Sequence, residues 1–486
     1  MFNEQDTVKS AVSVFEWHGV IRHWKRAWRM LEKSPEAELF SLLVHRGSQR
    51  GGRLYFRVKP RHFLRVVLAL TFIGLGLSLV AEDFQGSTHP LPYDDAIIQY
   101  SRQKPHDRVS KLQAQITSGE VQLKWDEQFG WLPAVLDALK IPRSSQMLVF
   151  SQTSLQRRAI HPDNPRAIFY TDDVYVGYIP NAPTLEISAV DPKLGGVFYS
   201  LDQVRQEKPS FARNQDCLQC HVSGRTMGVP GHVIRSLRTD GGGEIISGTD
   251  TAEVTHCTPL ADRWGGWYVT GQHGAQTHLG NLVGLSAFDR HAREPSFRAN
   301  TKDLRGVIDT RKYLTPHSDI VALMVMEHQA HMENYITRLS YETRIMTEMY
   351  GHIRYLKQQE SAFLRFLLFT EEAVLTEPVS GDPEYVKDFA APALRDSKGR
   401  SLRDFDLQTR MFKYPCSFLV YSEAFDQIPA MMREHLLQRL YDILTGGDLD
   451  PQFSKLGADD RQAILEILRE TKPQLPDYWK ASVPHR

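Results

Sequence analysis

No acidic residue lies between Glu38 and Glu82, while Arg46, Arg50, Arg53, Arg57, Lys59, Arg61 and Arg65 crowd the same stretch. The basic run leads into sixteen uncharged residues, Val66 to Ala81 (VVLALTFIGLGLSLVA). A basic flank, an apolar stretch and a small residue at its end have the layout of a secretory signal. The stretch falls short of the roughly 20 residues that a relaxed membrane helix prefers. Leu79 stands where a signal peptidase prefers a small side chain, so cleavage after Ala81 and retention as an inner-membrane anchor are both open. Residues 1–81 are therefore expected to be a basic leader plus signal or anchor. The remainder is expected to fold in the periplasm or another exported setting.

That division changes the meaning of the charge. The 486 residues carry 58 Lys plus Arg and 58 Asp plus Glu. Up to Arg65 there are thirteen basic and six acidic side chains, which leaves residues 82–486 mildly acidic with 45 against 52. Such a balance argues against a nucleic-acid partner, which calls for a basic surface. It favours a basic partner protein. An apolar share of 41% and a charged share of 24% are ordinary for a globular chain and exclude disorder.

Periodicity divides the exported part. Residues 82–145 read as a Pro-containing lead-in with short helices at about 106–118 and 131–140. Between 146 and 204 the runs Met147–Ser151, Ala167–Tyr170, Val174–Ile179, Leu185–Val190 and Val197–Leu201 are β-branched and aromatic. Asn, Asp, Pro and Gly punctuate them, which is a strand-and-turn pattern. A second strand-rich stretch is expected over about 230–290, with Trp267-Tyr268-Val269 as strand. From Pro316 the spacing becomes three and four, predicting two or more helices to about Glu372 and others at 428–445 and 459–471. The fold class is α+β, with a β-rich region over 146–310 and a mainly helical region over 311–486.

The chemistry concentrates in Asn214-Gln215-Asp216-Cys217-Leu218-Gln219-Cys220-His221. Cys-x-x-Cys-His is the attachment pattern of haem c. Two thiols two residues apart reach the two vinyl groups on one porphyrin edge, and the adjoining histidine serves as proximal iron ligand. A zinc site would need two more Cys or His ligands at suitable spacing, and no second Cys-x-x-Cys exists. A thioredoxin-like pair would want a strand–helix transition that the sequence does not show. A structural disulfide is the remaining alternative, and the export signal favours haem over it. The expectation is one covalent haem c on Cys217 and Cys220, with His221 on the iron.

The motif resembles that of bacterial c-type cytochrome-domain proteins. The longer segments DCLQCHVSGRTMGVPG (216–231) and RWGGWYVTG (263–271) look like a group of large, exported, single-haem bacterial proteins. The resemblance implies haem binding and electron transfer and supplies no substrate. Small soluble cytochromes place a helix over the haem and a methionine downstream, whereas Gly- and strand-rich sequence follows His221 here.

For the distal ligand, His273 between glycines, and Met324 and His328 one turn apart on a predicted helix, are the candidates. His256, His278 and His331 belong to the same pool. Met227 follows His221 too closely to reach the opposite haem face. Arg225 and Arg235 could pair with propionates. Trp264, Trp267 and Tyr268 fit core packing best. Cys257 and Cys416 could form a disulfide or stay as thiols. The expected activity is one-electron transfer. The alternative is a peroxidase- or oxidase-like haem enzyme with an open distal site and a histidine acting as acid–base.

Overall fold

The computed structural model describes residues 91–248 and 253–480, and the leader with its apolar segment lies outside them. Two short helices come first, α1 (Arg108–Ser118) and α2 (Leu132–Ala138). Six strands follow: β1 (Met147–Val149), β2 (Arg166–Tyr170), β3 (Val174–Tyr178), β4 (Thr184–Asp191), β5 (Gly195–Asp202) and β6 (Ala212–Arg213). A single turn, α3 (Leu218–His221), carries the Cys-x-x-Cys-His segment. Then come α4 (Leu285–Arg293), α5 (Ile320–Tyr350), α6 (Lys357–Leu367), α7 (Pro383–Ala390), α8 (Glu423–Asp426), α9 (Ala430–Thr445) and α10 (Ala458–Thr471). The class is α+β, as the sequence predicts.

The strands form one antiparallel meander in the order β1-β2-β3-β4-β5-β6. Side chains alternate across a strand, so the register sorts them into rows. One face carries Phe169, Val176, Ile187 and Tyr199, all buried with α1 and α2 in one core. The other face has two rows with different fates. Tyr170, Tyr175, Ser188 and Phe198 are buried. Ile168, Gly177, Glu186 and Ser200 stay half-exposed.

Helix α5 covers the first of those rows. Its 31 residues start at Asp319, whose carboxylate accepts from Ala322 N at 2.9 Å, and end at Gly351 with φ 68°. Every residue from Ile320 to Thr343 except His331 is buried, apolar and polar alike. It is long enough to cross a membrane, yet no helix among the described residues is both long and apolar enough. Tyr175 donates to Glu333 at 2.8 Å and Tyr341 to Leu194 O at 2.8 Å, which fastens α5 to the sheet. Helices α6 to α10 pack with it in the larger core.

The second strand-rich stretch does not form among the described residues. Over 230–290 these make single bridges only, Val149 with Trp267, Arg235 with Glu253, Thr239 with Ile245, Thr270 with Asp319 and Gln272 with Ser380. Side chains take over the backbone bonds that a ladder would make: Asn281 accepts from Val269 N at 2.8 Å, and Ser236 from Gly265 N at 2.9 Å. Gly265 also lies so close to Leu237 O that a Cβ would meet it at 2.6 Å.

Candidate functional site

The Asn214–His221 segment leaves β6 and turns at once into α3. His221 N donates to Cys217 O at 3.0 Å, and Cys220 N to the same oxygen at 3.2 Å. The two cysteines are three residues apart in one turn and so are neighbours on it, with Cys217 packed against the smaller core. Both are thiols, Cys217 half-buried and Cys220 exposed. Burial, with Glu186 adding to it, pushes the Cys217 thiol up to about 11.

The His221 ring turns inward onto the sheet. It packs on Phe198 with ring centres 4.6 Å apart, and His232 stands 6.3 Å away. Its Nδ1 lies 2.8 Å from Gly231 O, while Gly231 N donates to His221 O at 3.0 Å, so residues 222–231 close a loop on the motif. The carbonyl fixes Nδ1 as the protonated nitrogen. Among the described residues Nε2 makes no hydrogen bond. Desolvation is the largest cause lowering the ring to about 4, so it is a neutral imidazole at pH 7.

Gly231 fits because α5 presses on it. A Cβ there would lie 2.0 Å from Asn334 Oδ1, which accepts from His232 N at 3.0 Å. Gly231→Ala is expected to displace this junction and to cost about 1–3 kcal/mol of stability, the usual penalty for overpacking. Urea denaturation at pH 7 measures it, and an unchanged midpoint would contradict the fit.

His232 was not singled out by the sequence, yet it is the histidine ring packed nearest His221. Its Nε2 is 2.8 Å from Ser188 Oγ, and its Nδ1 is 3.3 Å from Glu333 Oε2 without hydrogen-bond alignment. Tyr175 lies on its ring at 4.3 Å. Burial lowers His232 to about 3 and raises the Glu333 carboxyl well above its usual range, so burial favours the neutral form of each. No local pattern flags His232, because its partners are far along the chain.

The sequence candidates for the distal position sit elsewhere and are engaged. His328 uses both nitrogens, Nδ1 with His256 Nδ1 at 2.9 Å and Nε2 with Ser417 Oγ at 2.8 Å. His273 Nε2 accepts from Asn300 N at 3.1 Å, and its ring packs on His278. Met324 is a buried core residue of α5. His331 packs on Phe366 and Tyr335. Met227 is buried in a left-handed turn with φ 55°, where its carbonyl accepts from Arg338 at 2.8 Å.

Trp264 donates to Glu327 Oε2 at 3.1 Å, Trp267 to Arg235 O at 2.8 Å and Tyr268 to Pro162 O at 3.0 Å. All three are packing residues. Arg225 is exposed and Arg235 half-buried. No disulfide joins Cys257 to Cys416. Their neighbours His256 and Ser417 bond opposite nitrogens of His328, which places that side chain between the two segments.

Among the described residues no three His, Cys, Asp or Glu side chains gather as a metal-binding group. No protein-family model, curated protein or solved structure matches the chain. The reading therefore rests on the geometry around α3. Two thiols on one turn, one of them exposed, beside a neutral imidazole with a fixed tautomer could hold a covalently tethered haem. The half-exposed row Ile168, Gly177, Glu186 and Ser200 lies on the same sheet face as Phe198 and so beside His221.

Proposed function

We propose that this chain is an exported c-type cytochrome with one covalent haem c, acting in one-electron transfer. Cys217 and Cys220 would hold the haem through thioethers, and His221 would ligate the iron through Nε2. The observation that carries this reading is the lock on His221: Nδ1 faces Gly231 O, and Nε2 makes no hydrogen bond among the described residues. When bound, haem supplies a one-electron couple. The protein's own part is to hold the imidazole neutral and oriented and to keep water from one side of the site.

A file of aromatic rings supports electron transfer in particular. From His221 it runs through Phe198 at 4.6 Å and His232 a further 5.8 Å on. Tyr175 follows at 4.3 Å, Tyr170 at 6.1 Å with planes 12° apart, and Tyr385 at 6.4 Å. Closely spaced rings give an electron a path through the fold. The redox partner is a protein, basic where it meets this acidic chain. Export to the periplasm is part of the reading, because haem c is attached outside the bacterial cytoplasm, and residues 66–81 would be the signal or anchor.

The enzyme alternative has one observation in its favour: His273 and His328 already use ring nitrogens in the fold. A spectrum separates the two. The protein made in a host with cytochrome c maturation is expected to keep its haem through denaturation, and carbon monoxide is expected to leave the reduced bands in place. A carbon monoxide shift would move the assignment to the open-site enzyme, and absence of covalent haem would overturn both.

A further inference from the structure

A cavity of about 850 Å³ opens at the far end of the ring file. Its rim carries the exposed Lys111, Asp137, Lys140 and Glu423. Its inner end is lined by the buried Tyr170, Gln329, Glu333, Tyr385, Phe389 and Phe418. Two pairs of charges in the wall are held within the protein, Arg108 with Asp173 at 2.8 Å and Arg403 with Asp172, while Lys111, Lys140 and Glu423 stay at the exposed rim. A charged ligand would have to break one of these pairs, so the inner end suits an uncharged one.

Two polar groups break the aromatic lining. Gln329 and Glu333 lie one turn apart on α5, and each keeps a buried side-chain oxygen, Oε1, without a partner. The remaining atoms of both are used. Gln329 Nε2 donates to Thr171 O at 2.8 Å and to Tyr175 at 2.9 Å, and Glu333 Oε2 accepts from Tyr175 at 2.8 Å. Burial raises the Glu333 carboxyl well above its usual range, which favours the protonated form, and with Oε2 accepting from Tyr175 the hydrogen would sit on Oε1. The floor thus holds an acceptor and, with Glu333 protonated, a donor one helical turn away, among rings. A ligand hydroxyl lying between them would satisfy both oxygens at once. A hydroxyl can donate to Gln329 and accept from Glu333, and a flat ring behind it would meet Tyr385, Phe389 and Phe418. A sugar would need several more polar partners than the inner end provides.

We propose that this cavity binds small uncharged phenols of the hydroquinone class, with one hydroxyl between Gln329 and Glu333 and the ring against the aromatic wall. Choosing a redox-active phenol rests on the electron-transfer reading, since the rings from Tyr385 lead to His221; the binding itself does not.

Hydroquinone titrated anaerobically into the full-length holoprotein, followed by saturation-transfer NMR and calorimetry, tests this. Saturable binding is expected. Glucose and benzoate are expected not to compete. Gln329→Leu is expected to weaken binding at least about tenfold, the cost of an unmet hydrogen bond. Glu333→Gln keeps a donor and is expected to stay within a factor of about three of the wild type. Urea midpoints of both variants check that they fold. Absence of saturation at about 10 mM, beyond the millimolar affinities open to so small a ligand, overturns the proposal. So does tighter binding of glucose or benzoate, or an unchanged affinity in Gln329→Leu. Repeating the titration on C217S/C220S separates the two readings: binding without haem keeps the cavity proposal even if the cytochrome reading fails, and binding lost there while the fold persists overturns it.

Discussion

Replacing Cys217 and Cys220 together by serine is expected to take the protein from one haem per chain to none that survives denaturation. The thioethers are the only covalent link the motif offers, and Cys220 is exposed while Cys217 is half-buried. The substitution exchanges sulfur for oxygen at one exposed and one half-buried position of a single turn, so the fold should remain. His221→Ala should give a different result. Its thioethers stay, so the haem is retained through denaturation, but the native spectrum of the folded protein changes because the imidazole is gone. Haem staining of denatured gels and reduced spectra of the folded proteins read the two variants separately. Covalent haem in the double-serine variant, or an unchanged spectrum in His221→Ala, would sink the assignment of these residues. Zinc recovered in place of haem would do the same.

Glu327→Gln is expected to destabilise the protein by about 3–5 kcal/mol, the range for breaking a buried ion pair from one side. Arg263 and Glu327 are both buried and form an ion pair, and Arg263 also donates to Thr258 O at 2.7 Å and His256 O at 3.0 Å. Trp264 donates to the other carboxylate oxygen. Removing the charge of Glu327 leaves the buried guanidinium without the carboxylate it is bonded to. The control is the double variant R263M/E327L, in which no charge is stranded. It should recover much of the loss, because apolar residues of similar volume often replace a buried pair at little cost. Urea unfolding at pH 7 compares the three proteins. A single variant as stable as wild type, or a double variant no better than the single, would show that the pair does not hold 255–264 against α5.

The strands were legible because alternation is a local property. Met147, Ala167, Val174, Leu185 and Val197 each open or lie within a strand where β-branched and aromatic runs predict one. Helix α5 was legible from its three-and-four spacing, although burial all round leaves no polar face. Trp267-Tyr268-Val269 misled for a physical reason. The run is buried and β-forming, but Asn281 and Ser318 bond its backbone where strand neighbours would. At the site, Cys217, Cys220 and His221 stand out because spacing within one turn is itself the signal. His232 does not, since Ser188 and Glu333 lie 44 and 101 residues from it and only the fold joins them. The cavity is invisible in sequence for the same reason: its wall is drawn from α1, the sheet, α5, α7 and the segment near Phe418.

The burial of α5 has a consequence for biosynthesis. The sheet ends at Arg213 and the two thiols follow within seven residues, but the helix that covers Tyr175 and Phe198 spans 320–350. A chain delivered from its N-terminus therefore presents Cys217, Cys220 and the bare apolar row before their lid exists. More than a hundred residues must still arrive before the fold can shut over His221. On the cytochrome reading, the attachment machinery would meet the thiols uncovered, and a holdase would have the same interval in which to guard the row.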